Sequence, residues 1–185
     1  VKREGIYYQK FTDVPFSGKV TGQKKGSFKN GKKDGVWVGY HGNGQLWFKE
    51  NYENGKREGA WTRYWSNGQL ESKVKFENGG LEGVWVNYWS NGQIWYKGNY
   101  KNDKREGTWV SYQEDGQLSH KGNYKNDKRE GFWVSYHKNG QLMFKGNYED
   151  DIRHGFWNSY LEDGTVNKER TGFYKKNGIL TRSED

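Results

Sequence analysis

The chain of 185 residues is long enough for one globular domain or one repeat array, and it carries 31 Lys and Arg against 23 Asp and Glu, a net charge of +8. A hydrophobic fraction of 31% and a mean hydropathy of −1.29 point towards disorder, but 18% of the residues are aromatic, ten of them Trp. Rings that bury roughly 150–250 Å² each can replace an aliphatic core, while the lack of Cys excludes disulfides, thiolate metal sites and cysteine nucleophiles.

Residues 1–26 hold Gly5-Ile6-Tyr7-Tyr8 and Phe16-Ser17-Gly18-Lys19-Val20, strand-like stretches that fall out of any period and read as an N-terminal cap. From about residue 27 to residue 166 a 24-residue repeat takes over. Gly35, Gly59, Gly83, Gly107, Gly131 and Gly155 open the copies, and Trp37, Trp61, Trp85, Trp109, Trp133 and Trp157 follow two residues later. Tyr40, Tyr64, Tyr88, Tyr112, Tyr136 and Tyr160 come next, then an Asn-Gly or Asp-Gly pair such as Asn43-Gly44 or Asp115-Gly116. These pairs suit a two-residue type I′ turn. A second turn at Asn54-Gly55-Lys56-Arg57 is read with four residues, which leaves two strands of nine per repeat. The predicted fold class is therefore all-β, a single-layer antiparallel meander of 24-residue hairpins. Residues 167–185, with Gly172-Phe173-Tyr174 arriving two residues late, read as a C-terminal cap whose Phe173, Tyr174, Ile179 and Leu180 offer an open edge.

That register has side-chain consequences. Trp109 faces Gly98, Trp133 faces Gly122, and Tyr52 faces Gly35 and Gly59, so rings lie over glycines on neighbouring strands. Period-2 alternation adds Leu46, Leu70, Ile94, Leu118, Leu142 and Val166 to the same structural face as the Trp column. The opposite face carries Val36, Val38 and Tyr40 beside a column of Lys49, Lys73, Lys97, Lys121 and Lys145, with Trp47 between Tyr40 and Tyr64 and Trp95 between Tyr88 and Tyr112. The candidate binding residues are thus Tyr40, Tyr64, Tyr88, Tyr112, Tyr136, those five lysines, Trp47 and Trp95. A solvated face with Lys stems lying over Val and Tyr is the simpler account of the same columns.

No catalytic constellation emerges. His41, His120, His137 and His154 share no metal-ligand spacing, and the acidic column Asp34, Glu58, Glu82, Glu106 and Glu130 reads as charge compensation beside Lys and Arg. No phosphate loop, nucleophile elbow or dinucleotide fingerprint occurs, so neither an enzymatic activity nor a cofactor is expected.

The columns Gly107, Trp109, Tyr112, Asp115-Gly116-Gln117-Leu118 and Tyr124-Lys125-Asn126-Asp127-Lys128-Arg129-Glu130-Gly131 resemble the bacterial MORN-type variant repeat, the group labelled YwqK-family antitoxins, from about Gly26 to Val166. The resemblance implies a non-enzymatic sheet that acts as an interaction platform, placed in the secreted or cell-envelope compartment of a bacterium. A basic chain calls for an acidic or neutral protein partner. Two alternatives are a fibre subunit that adds strands end to end, and a cell-surface carbohydrate binder.

Overall fold

The computed structural model describes residues 1–181, and every strand pairing in it is antiparallel, with no helix among the described residues. Two compact units divide it, Val1–Gly92 and Gln93–Asp185. The first holds a small hairpin, β1 (Lys2–Arg3) and β2 (Ile6–Tyr7), and then a sequential meander. Its strands are β3 (Gly18–Val20), β4 (Lys24–Lys29), β5 (Lys32–Tyr40), β6 (Leu46–Glu53), β7 (Lys56–Arg57), β8 (Gly59–Tyr64), β9 (Leu70–Glu77), β10 (Gly80–Leu81) and β11 (Gly83–Tyr88). Both β7 and β8 pair with β6, and both β10 and β11 with β9, so each duo is one strand interrupted near its repeat glycine. The second unit runs β12 (Ile94–Lys101), β13 (Lys104–Tyr112), β14 (Leu118–Lys125), β15 (Lys128–Tyr136), β16 (Leu142–Glu149), β17 (Ile152–Ser159), β18 (Gly172–Tyr174) and β19 (Leu180–Thr181). Each of its strands pairs with the next.

The two turns of the repeat have the opposite chemistry to the one expected. At Asn43-Gly44 only Gly44 has a positive φ (+85°), the Gly44 amide donates to the His41 carbonyl, and the His41 amide donates to the Gln45 carbonyl. This is a three-residue loop, a type I turn closed by a left-handed glycine. The type I′ turn lies at the other end of the hairpin, where Asn54 (+48°) and Gly55 (+83°) both have positive φ and Glu53 pairs with Lys56. In the second unit Asn102-Asp103, Asn126-Asp127 and Asp150-Asp151 take the same two positions.

The distant register nevertheless agrees, because bulges absorb the difference. Trp37 pairs with Glu50, although one residue is skipped between Gly39 and Tyr40 on the way to the turn. Across the other interface Asn99 pairs with Glu106 and Lys97 with Val110, so Gly98 alone opposes Gly107, Thr108 and Trp109. Gly107 opens this bulge at φ +71°, in the left-handed region, which is why the repeat keeps glycine there. Two expectations fail for the same reason. Tyr52 pairs with Gly35 but meets Arg57, not Gly59, across the bulged interface. Tyr40 and Leu46, placed on opposite faces by strict alternation, sit opposite one another because Trp47 is the skipped residue.

Both terminal segments use local bonds. Amides of Tyr7 and Phe16 donate to the carbonyls of Gly31 and Tyr7, while Tyr7, Phe16 and Val20 cover Phe28 and Trp37. At the other end β18 pairs with β17 and β19 folds back onto β18, so Phe173 and Tyr174 are paired on both sides. The two-residue delay is taken up between Tyr160 and Thr171, where the Ser159 amide donates to the Thr171 hydroxyl (2.9 Å).

The turn assignment is testable. Asn139 has a negative φ, its Oδ1 accepts from the Gln141 amide (3.0 Å) and its Nδ2 donates to the Glu162 carbonyl (2.6 Å). Asn139→Gly should therefore cost about 1–2 kcal/mol in urea melts, whereas Asn126→Gly, at φ +51°, should stay within about 0.5 kcal/mol. A neutral Asn139→Gly would return the type I′ turn to that end.

Candidate interaction surface

The bulge determines what the Trp column does. An indole ring lies over the single residue opposite it, so a β-carbon on Gly26, Gly98, Gly122 or Gly146 would enter the ring of Trp37, Trp109, Trp133 or Trp157. The bulge also frees a carbonyl on the residue after that glycine. Nε1 of Trp37, Trp133 and Trp157 donates to the carbonyls of Ser27, Asn123 and Asn147 at 3.0, 3.1 and 3.0 Å. Trp61 makes the same bond to Asn51 (2.9 Å). Trp109 is the exception, a buried indole N–H without an acceptor. Trp85 is half-buried and donates to the Asn87 side chain, and the other five of the column are buried.

Tyrosines fill the gaps between these rings. In the second unit Tyr100, Trp109, Tyr124, Trp133, Tyr148, Trp157 and Tyr174 follow one another at centroid distances of 4.8–6.2 Å, all edge-on. Arginines lie over this row. Arg105 sits 3.9 Å from the Tyr124 ring and Arg129 4.0 Å from that of Tyr148, and each reaches forward to the turn aspartate of the next repeat, Asp127 or Asp151. The side-chain hydrogen bond from Arg129, then the backbone one, holds Asp151 below the ordinary carboxylate range. Burial raises Asp127, but the hydrogen bonds and charge of Arg105 together outweigh it and the net shift is downward.

The first unit departs from this where Glu50 replaces the glycine. Glu50 is buried, accepts a hydrogen bond from the Tyr52 hydroxyl (3.0 Å) and lies 4.0 Å from Lys33, whose ammonium donates to the same hydroxyl (3.2 Å). Burial and then the Glu50 charge push the Tyr52 phenol above its usual range, while burial lowers Lys33 against the pull of Glu50.

The remaining constant residues tie each repeat to the next. Asp34, Glu58, Glu106 and Glu130 each accept the backbone amide of a turn residue twenty positions on, which gives the acidic column a positional role. Asn43 and Asn67 donate to the carbonyls of Ser66 and Ser90, and His41 and His137 bond those of Tyr64 and Tyr160. Among the described residues no cluster of three or more His, Asp or Glu is placed to hold a metal ion.

The lysines among the candidate binding residues lie on the outer face, away from the column of Trp rings, and the two units carry separate sets. Lys49 and Lys73 in the first unit, and Lys97, Lys121 and Lys145 in the second, are exposed beside half-buried partners, Val or Thr except for Asn158 opposite Lys145, as in Val110–Lys121–Val134. Tyr40, Tyr64, Tyr88, Tyr112 and Tyr136 are half-buried at the rim of the three-residue loops. Trp47 and Trp95 are exposed; the Trp47 ring contacts His41 and Phe48 rather than lying between two tyrosines, and Lys24 stands 5.5 Å above it. Sequence reasoning placed Val36 on this face but did not follow its column, the residue between the bulge glycine and the Trp. That column holds Val36, Ala60, Val84, Thr108, Phe132 and Phe156, all exposed. Its signal was legible: it is a variable position held between two constant ones, the glycine and the Trp.

Five segments, residues 33–54, 57–78, 81–102, 105–126 and 129–150, match the MORN repeat variant. They cover more than half of the chain, which belongs to that family. No match was found among the curated proteins.

Two measurements check the inner face. Trp133→Phe keeps a ring but orphans the Asn123 carbonyl, and should cost about 1–3 kcal/mol in denaturant melts. Trp109→Phe loses no such bond and should cost less; equal losses would remove the carbonyl from the account. For pH, the lowered carboxylates Asp127 and Asp151 stabilise the fold fully above the unfolded-state value of about 3.9 and lose that contribution as pH falls through their folded values. The pair Asp127→Asn and Asp151→Asn should therefore lose less melting temperature than the parent between about pH 6 and pH 3. An equal drop would contradict the Arg–Asp clamp.

Proposed function

We propose that this MORN repeat protein is a non-enzymatic scaffold whose outer sheet face receives an acidic or neutral protein partner. The observation that carries the reading is how the repeat distributes its bonds. The Trp, Tyr, Arg, Asp, Asn and Gly columns on the inner face and in the turns are consumed by ring stacking, bulges and repeat-to-repeat hydrogen bonds. Lys97, Lys121 and Lys145 are exposed on the outer face, and the chain as a whole carries +8. Positive potential on a sheet face steers and selects partners of opposite sign.

A face is favoured over end-to-end strand addition. The first meander strand of one unit, β3, and the last strand of the other, β19, have three and two residues, and backbone bonds worth about 0.5–1.5 kcal/mol net each are too few there to offset association entropy. An immunity protein of the antitoxin kind is one form of the same reading, and its net charge then assigns it an acidic or neutral toxin.

The test is affinity capture from the encoding organism with the parent and with a variant carrying Lys97→Ala, Lys121→Ala, Lys145→Ala and Tyr136→Ala. A single acidic or neutral partner should be recovered, at least tenfold less with the variant at matched folding by circular dichroism. Equal recovery would move the site off the outer face.

A further inference from the structure

In the second unit the variable outer column turns aromatic. Phe132 is 54% exposed and Phe156 57%, and Phe156 pairs directly with Phe173, itself 51% exposed. No packing in the unit explains three half-bare rings on one face, since the equivalent position on β13 is held by Thr108 in the same backbone setting. The Lys column interleaves with them. Lys121 lies on β14 and pairs with Val134, Phe132 lies two residues before Val134 on β15, Lys145 on β16 pairs with Val134 and Asn158, and Phe156 lies two residues before Asn158 on β17. Successive strands therefore present Lys, Phe, Lys, Phe. Phe132 pairs with Asn147, which faces His154 on its other side, while Asn123 faces Thr108 and Glu130, whose carboxylate accepts the Asp150 amide.

We infer that this Phe132–Phe156–Phe173 patch, with Lys121 and Lys145, is the docking site for an acidic polypeptide segment that carries apolar side chains at a three-residue period. The inference rests on the outer face being the working surface. Exposed aromatics gathered on one patch are the side chains that anchor interfaces, and the lysines set the sign of the occupant. Lys121 and Lys145, and likewise Phe132 and Phe156, are two strand spacings apart, about 10 Å. An extended polyproline II segment returns to the same side every three residues, over about 9 Å. Laid across the strands, it keeps carboxylates and apolar groups in step with the two columns. A second copy of this chain is disfavoured because it would bring lysine onto lysine at a net charge of +8. Single-stranded nucleic acid calls for a continuous basic track, and the arginines that would supply one, Arg105 and Arg129, are on the other face against Asp127 and Asp151.

The experiment uses the full chain and three fluorescein-labelled probes: a twelve-residue peptide of four Glu-Pro-Leu triplets, dodeca-glutamate, and a twelve-base oligo-dT. Fluorescence anisotropy at about 0.15 M salt should show saturable binding of the triplet peptide, at least tenfold tighter than dodeca-glutamate or oligo-dT. The variant Phe132→Thr with Phe156→Thr, which copies the residue at Thr108 and so preserves the fold, should lose at least tenfold. Failure of the triplet peptide to saturate, an unchanged affinity in the variant, or tighter binding of dodeca-glutamate or oligo-dT would each overturn the patch. If the partner captured by the parent protein is also captured by the Thr variant while the Lys and Tyr variant loses it, the patch fails and the outer-face reading stands.

Discussion

The indole ring laid over a bulged strand is the constraint on which the rest of the repeat depends. A sheet this poor in aliphatic residues needs some other way to exclude water from its backbone. Here each bulge places three residues opposite one, leaving a patch of bare backbone and a carbonyl with no ladder partner. Trp is the one side chain with both a surface large enough to cover the patch and a donor to reach the carbonyl. The left-handed glycine two residues earlier makes the bulge affordable, and Tyr and Arg fill the spaces between successive indoles.

From this follows the division between the two faces. Ring, bulge and clamp fix the Trp column and its left-handed glycine on the inner face, and the turns are fixed by bonds to the next repeat. The outer face carries no such bonds at the residue between that glycine and the Trp. A column that reads Val36, Ala60, Val84, Thr108, Phe132 and Phe156 can change from copy to copy without touching the frame. A scaffold built this way separates stability from recognition, and the basic net charge then biases what the recognising face meets.

Much of the fold was legible because a 24-residue period without insertions leaves little freedom. The all-β hairpin class and the placing of the Trp133 ring over Gly122 follow from it directly. The turn chemistry did not, for a physical reason. Asn-Gly serves equally as a type I′ pair and as the last two residues of a type I turn with a left-handed glycine, and Asn102-Asp103 supplies type I′ geometry with no glycine at all. The two assignments differ by a bulge, and since bulges on both sides of the strand restored the distant register, side-chain pairing alone could not tell them apart. For the outer face, the Lys column was legible from alternation. Phe132 and Phe156 were hidden because a search for constant columns passes over a position that varies.

Indole hydrogen exchange by NMR is the most direct test of the central claim, since it reads the Trp-to-carbonyl bond itself. Nε1 protons of Trp37, Trp61, Trp133 and Trp157 should exchange about as slowly as ladder amides of their own strands, with the exposed indole of Trp47 exchanging freely. Uniformly fast exchange across all of these indoles would mean that the rings merely cover the sheet and that the bulge carbonyls are satisfied by water.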